Sequence, residues 1–336
     1  MMLSPGLLVA SFATCAAAQT ASIHSLQTTI PWSPKAASSV DQSIVYNDTY
    51  YLADRTNAGV HIISLINNTQ INLITGFATV LVNGSVSSAS SGPNGLVVLP
   101  DRNQLWVGDG DGSVKVIDLV TQKIIQSIAT GSKYRADEFA YDAKSGVVLV
   151  SNPNDTPPFV TAMSASNRSV IGQFNFTDVP GELEQPAFNP TTGLFYISVP
   201  ESDANKGGEI RSLTLANFST HTVYPLPPCI PAGIAFGPNQ HLFVSCSQDQ
   251  ILDYNYASAF VLDIANGGKV IANVTGVAGS DQVAYNSAAG LYYMSAYQNQ
   301  AGGLKTGLAQ PYLSIIDATT NVIIQNITTD NKTAHS

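Results

Sequence analysis

Polar residues recur along this 336-residue chain at near-constant intervals, each just ahead of a short apolar run. Gln42, Asn94, Asp137, Glu184 and Asp281 hold five such places, Ala232 holds another, and His335 stands where a seventh would begin; the intervals are 52, 43, 47, 48, 49 and 54 residues. If the fold brings these positions together, three carboxylates, two amides and an imidazole converge. Like carboxylates repel at close range unless a proton or a cation intervenes, and hard oxygen donors of this kind suit Ca²⁺ or a similar divalent ion. The set gives a candidate metal centre at Asn94, Asp137, Glu184 and Asp281, with Asp281 or Glu184 as the base that activates water beside the ion. The other reading is a water-filled channel lined by ordinary polar groups.

Next to these positions lie Arg135, Glu138, Gln185 and Gln282, which join Gln42 and His335 as candidate channel or substrate contacts. Arg135 either orients a ligand carboxylate or neutralises the acidic set. Loops farther along each repeat add Asp54 and Arg55, Asp109 and Asp111, Asn152 and Asp155, Glu201 and Asp203, then Tyr297 and Gln298. The GDGDG run at 108–112 reads as a tight polar turn, because an EF-hand loop needs a longer ligand series closed by Glu. No GxSxG elbow, HExxH, P-loop or GxGxxG in a strand-to-helix setting occurs. Serine-hydrolase, zincin, nucleotide and dinucleotide mechanisms are therefore without support.

The elements that must position these residues are short strands. Six openings align: SIVYN at 43, GLVVLP at 95, EFAYD at 138, QPAFNP at 185, GIAFGP at 233 and QVAYN at 282. Each precedes a turn and a second apolar run, namely TYYLAD, QLWVGD, GVVLVS, GLFYIS, HLFVSC and GLYYMS. A third and a fourth run then flank a polar turn, as in VKVIDLVTQKIIQSI from Val114, AFVLDIANGGKVIANV from Ala259 and LSIIDATTNVIIQNI from Leu313. Asp118, Asp263 and Asp317 end a strand where a carboxylate can accept hydrogen bonds from the turn backbone, so the chain returns antiparallel. Four strands per unit, repeated every 43 to 54 residues, predict an all-β propeller.

With those hairpins in view, the chain resembles the YVTN-repeat propellers, seven-bladed extracellular or periplasmic proteins whose blades end in an aliphatic-Asp-x-x-Thr-x-x-aliphatic hairpin. It is similar, more distantly, to the senescence marker protein and gluconolactonase superfamily. That second resemblance implies a metal held by a Glu, an Asn and an Asp from different blades, and a lactonase-like hydrolysis. VTAMSASNRSVIGQFNF from Val160 keeps the hairpin shape but lacks its Asp. The ends of the chain bear on the blade count. ASIHSLQTTIPW from Ala21 has the form of a lone fourth strand, and the chain stops at Lys332–Ser336, where a seventh opening would start. The reading is six complete blades plus a partial seventh, or a six-bladed ring with one extra edge strand.

Residues 1–18, MMLSPGLLVASFATCAAA, lack charged side chains and end in small residues, which predicts a secretory signal peptide ahead of one propeller domain at 19–336. Export predicts N-glycosylation, and sequons stand at Asn47, Asn67, Asn83, Asn154, Asn167, Asn175, Asn217, Asn273, Asn326 and Asn331. It also predicts a disulfide between Cys229 and Cys246, the pair left once Cys15 is removed, with two buried thiols as the alternative. Only 11% of residues are charged and the net charge is −9. Such a chain lacks the dense basic face that nucleic acid or an anionic membrane surface requires. No later apolar run is long enough to span a bilayer, so an integral membrane protein is not expected. The expected partner is a small molecule at the channel mouth, and the expected cofactor is a divalent cation, not a nucleotide. Three functions fit: metal-assisted lactone or ester hydrolysis, non-catalytic extracellular binding or scaffolding, and an isomerase or cyclase acting on a natural product.

Overall fold

The second strand of each repeat is mostly apolar because it is covered on both faces, and Val147–Asn152 is buried along its whole length. Fourth strands alternate instead: Lys123–Ala129 and Val322–Thr328 expose every other residue, as a strand does at the rim of a sheet. The computed structural model describes residues 23–329. Blade one runs Val40–Tyr46, Thr49–Asp54, Gly59–Ser64 and Thr69–Thr75, each strand antiparallel to the next. Five more four-stranded sheets repeat that order, with innermost strands Leu96–Leu99, Phe139–Asp142, Pro186–Asn189, Pro231–Phe236 and Val283–Asn286.

The described residues thus form an all-β propeller of six blades, which selects the six-bladed alternative over a partial seventh blade. Residues 23–39, the part of the lone fourth strand that is described and its continuation, form no strand. Their backbone pairs with glutamine side chains instead. Gln325 Oε1 accepts from the amides of Ile23 and His24, Gln325 Nε2 donates to the His24 carbonyl, and the Ser33 amide donates to Gln70 Oε1. The segment is a strap from the outer strand of blade six to that of blade one. The expected signal peptide, Asn331 and His335 lie outside the described residues.

The local devices repeat. Asp118 Oδ1 accepts from the Thr121 amide at 2.7 Å and its hydroxyl at 2.8 Å, and Asp317 Oδ1 does the same with Thr320 at 2.7 and 2.8 Å. The turns close through left-handed residues at Gln122 and Asn321. In every blade the pairing of third and fourth strands shifts register once, a bulge that adds twist to the outer edge. The disulfide forms: Cys229 and Cys246 are bonded with Cα atoms 4.9 Å apart, tying the connector ahead of blade five to the end of its second strand. Among the nine described sequons, Asn154 is half-buried and the other asparagines are exposed. No helix among the described residues is long and apolar enough to cross a membrane.

Packing is uneven around the ring. Apolar clusters fill the space between blades one and two, two and three, three and four, four and five, and five and six. Among the described residues no such cluster joins blade six to blade one. The strap covers part of this seam, with His24 stacked on Tyr293 at 5.6 Å and Trp32 against His61 at 5.8 Å.

Two outcomes follow from this packing. In hydrogen–deuterium exchange, the amides of Ser43–Tyr46 and Val283–Asn286, which flank the seam, exchange faster than those of Phe139–Asp142 and Pro186–Asn189; equal protection would show that the seam is packed like the other junctions. Replacing both disulfide cysteines with serine, which frees a loop of 17 residues, lowers stability by about 3 kcal/mol in urea unfolding. An unchanged midpoint would mean that the rim of blade five is held by other contacts.

Candidate metal centre

Strand register sets which side chains meet in the channel. Ser43, Leu96, Phe139, Pro186, Ile234 and Val283 occupy equivalent places, paired with Leu52, Val107, Val150, Ile197, Val244 and Met294. The residues one step earlier form a middle layer of Gln42, Gly95, Glu138, Gln185, Gly233 and Gln282. One step earlier again is the upper layer of Asp41, Asn94, Asp137, Glu184, Ala232 and Asp281. The glycines of the middle layer let neighbouring inner strands touch. A Cβ on Gly95 would collide with the Asp137 carbonyl, and one on Gly233 would lie 2.6 Å from the Val283 amide nitrogen.

The upper layer opens into a cavity of ≈ 360 Å³, whose walls include six carboxylates, Asp41, Asp137, Glu138, Glu182, Glu184 and Asp281, and two cations, Arg55 and Arg135. Both cations are committed. Arg55 donates to Asp41, to Asn94 Oδ1 at 2.7 Å and to the Val40 carbonyl at 3.3 Å. Burial, reinforced by Arg135, brings its guanidinium down to about 10. Arg135 Nε sits 2.8 Å from Asp137, and its Nη2 lies 3.8 Å from Glu182.

Beside them is an acidic cluster: carboxylate oxygens of Glu138, Glu184 and Asp281 lie within 4.8 Å of one another, and the charge of Arg135 acts on all three. At that separation two like charges repel by about 3 kcal/mol at an effective dielectric near 20, so all three do not ionise together unless a cation joins them. Burial first, and then Glu184, Asp137 and Asp281, hold the Glu138 carboxyl well above the usual carboxylate range. Burial and then Asp281, Glu182 and Asp137 do the same to Glu184. Glu138 is 3% exposed; its Oε1 accepts from Gln42 Nε2 at 2.9 Å and Gln282 Nε2 at 3.3 Å, while its Oε2 has no hydrogen-bond partner. A buried acceptor left open beside two further carboxylates is a fitting place for a hard cation.

Several placements differ from the expected ones. Gln42 belongs to the middle layer and Asp41 takes the upper place, because Tyr46 pairs with Thr49 across a two-residue turn where Asp142 pairs with Val147 across four, so the repeat alignment is one residue out in blade one. Glu184 and Asp281 are in the cluster as expected. Asn94 and Asp137 are drawn off by Arg55 and Arg135, and Glu138 stands in their stead. Gln185 is a clip: its Oε1 accepts from the amides of Ile234 at 2.9 Å and Val283 at 3.3 Å, tying blade four to blades five and six. Gln282 holds Glu138 in the same layer, and Ala232 is buried with no polar contribution. The loop acids are mostly spent within their blades. Asp54 meets His61 at 2.9 Å, Asp109 and Asp111 meet Lys115 at 3.1 and 2.9 Å, Asn152 accepts from Thr161 at 2.8 Å, and Glu201 meets Lys206 at 2.7 Å. The GDGDG run is thus a lysine-neutralised turn. Tyr297 reaches the cavity wall, where burial, then Asp281 and Glu184, push its hydroxyl up.

The protonation of the cluster has a pH signature. A carboxyl whose folded pKa is raised binds more protons folded than unfolded, so its contribution is greatest below the ordinary value of 4.5 and is lost as pH rises toward the folded value. In chelator, the melting temperature of the protein therefore falls as pH climbs from about 5 to 8, and Glu138→Gln, which keeps the acceptor for Gln42 and Gln282, makes that fall shallower. Parallel melting curves for the two proteins across this range would show that Glu138 is not a shared proton site.

No family model matches the chain, and no curated protein matches it. Among solved structures it is similar to the hydrazine synthase of Kuenenia stuttgartiensis, at 13% identity and a TM-score of 0.55 over 84% of this chain and 80% of that one. At that identity the likeness is one of fold, and the propeller is what the two chains share.

Proposed function

We propose that the upper channel mouth is a divalent-cation centre that binds a small polar or cyclic molecule, and that its reaction is hydrolysis of a lactone or ester. The observation that carries this reading is the Glu138, Glu184 and Asp281 cluster, with carboxylate oxygens within 4.8 Å and one buried oxygen open. Three carboxylates fill only part of the six to eight oxygen positions Ca²⁺ takes, which leaves places for water and ligand. A cation held there polarises a carbonyl and acidifies bound water.

The chain's own groups divide the remaining work. Asp41 and Asn94 fix Arg55, and Asp137 pairs with Arg135, so both guanidiniums are held in the cavity wall, close enough for their charge to act on Asp281. Glu184 lines both this cavity and an adjoining groove that includes Glu182, Glu201, Asp249 and Asp253. Glu182 lines both as well, but only Glu184 of the two belongs to the carboxylate cluster, so its carboxylate is the one placed to take a proton from water attacking a ligand that lies between them. Export is part of the same reading. The Cys229–Cys246 disulfide, the exposed sequons and the small-residue end of the leader support a secreted glycoprotein. The hairpins support kinship with the YVTN-repeat and gluconolactonase-like propellers.

Calorimetric titration of chelated protein with Ca²⁺ and with Mn²⁺ tests the centre. One site per chain is expected, with affinity reduced at least tenfold in Glu184→Gln and Asp281→Asn and much less in Asp137→Asn, whose carboxylate is committed to Arg135. Absence of binding would end the cation reading. A panel of simple lactones and esters assayed with and without chelator then tests the reaction, and a bound cation without chelator-sensitive turnover would make the protein a binding module.

A further inference from the structure

The opposite end of the channel is built from different chemistry. Beneath the middle layer a cavity of ≈ 680 Å³ opens toward the other face, and none of the described residues that line it is Asp, Glu, Lys, Arg or His. Its roof is the amide layer of Gln42, Gln185 and Gln282, and its walls include Phe139, Tyr285 and Tyr293. The volume falls within the roughly 300–1,000 Å³ of small-molecule sites, and apolar and aromatic walls with a few convergent polar groups are how such sites are made.

The cavity exists because of the seam. Val45 on blade one and Leu313 on blade six both line it, and among the described residues no apolar cluster fills the space between those blades. Val45 is 57% exposed on an innermost strand, where a packed ring would bury it. The roof also retains chemistry. Gln42 and Gln282 each give one amide proton to Glu138, and a carboxamide carries a second. A charged ligand would lose its hydration here with no opposite charge to meet it, whereas a neutral ring would gain from the aromatic walls.

We propose that this lower chamber is a second binding site, for a neutral ring compound carrying one or two hydrogen-bonding oxygens, with the ring among Phe139, Tyr285 and Tyr293 and the oxygen toward the glutamine amides. It stands apart from the cation centre, since Glu138 and its glutamine partners close the channel between the two. The site does not depend on any metal.

The probe is 1-naphthol, titrated into the full-length secreted protein and followed by calorimetry. Saturable binding at one site per chain is expected, at least tenfold tighter than binding of 1-naphthalenesulfonate, which carries a charge on the same ring system. Ala284→Trp places an indole in the chamber from an exposed position and should weaken naphthol at least tenfold. Val45→Trp does the same from the other wall and serves if the first variant melts poorly. Binding in chelator and in Glu184→Gln should match the wild type, which separates this site from the cation centre. The proposal is overturned if naphthol shows no saturable binding at millimolar concentration, if both well-folded tryptophan variants bind it as tightly as wild type, or if its binding is lost in Glu184→Gln.

Discussion

A single buried carboxylate, that of Glu138, carries the organisation of the channel. It belongs to blade three, yet its Oε1 accepts from Gln42 of blade one and Gln282 of blade six. Those two blades flank the junction that no apolar cluster fills, so the ring is bridged from across its centre where it is not closed by packing. Hydrogen bonds to a charged acceptor run stronger than neutral ones, and burial removes water as a competitor. The same burial makes the ionised form of Glu138 costly. The group that bridges the seam is therefore also the group that most needs a proton or a cation.

That dependence links the architecture to the site. A six-bladed ring leaves its inner strands close together, and the middle layer answers with two glycines and three glutamines: glycines where strands touch, glutamines where their edges must be clipped. Gln42 holds the Leu96 amide at 3.1 Å, and Gln185 holds the amides of Ile234 and Val283. These side-chain clips stand in for a backbone ladder that radiating blades do not form with one another. Ring closure and ligand chemistry thus share one layer of residues, and the amide layer divides the channel into a charged upper cavity and an uncharged lower chamber.

Much of the fold was legible because it repeats. Five of the six openings, the second apolar runs and the Asp-closed turns at Asp118, Asp263 and Asp317 fall where the alignment puts them, the opening of blade one falls one residue away, and the pairing of Cys229 with Cys246 follows from their places at one end of neighbouring strands. The site was legible only to within a residue. Asp41 takes the place assigned to Gln42 because the first turn of blade one is shorter than its counterparts, which shifts the alignment by one, and Glu182 precedes the aligned positions altogether. Asp137 and Glu138 are adjacent acids, and which of them enters the cluster is decided by Arg135, a long side chain whose direction depends on the folded rim. The seam was illegible for a related reason. Blade six and blade one have ordinary strand patterns, and whether an apolar cluster forms between them is decided by how the ring closes.

Charge accounting narrows what the upper cavity accepts. With so few charged residues in the chain, six carboxylates around one cavity are a concentration, and among the described residues the two cations in its wall are each paired with an acid. A divalent cation at Glu138, Glu184 and Asp281 would still leave that trio one negative charge in excess. An anionic ligand would meet this excess and the half-exposed Glu182 beyond it, without a guanidinium released to receive it. A neutral carbonyl compound meets neither penalty and offers its oxygen to the cation. On the proposed reading, lactones and simple esters are therefore favoured over free carboxylates or phosphates by the excess of acids over cations around this cavity.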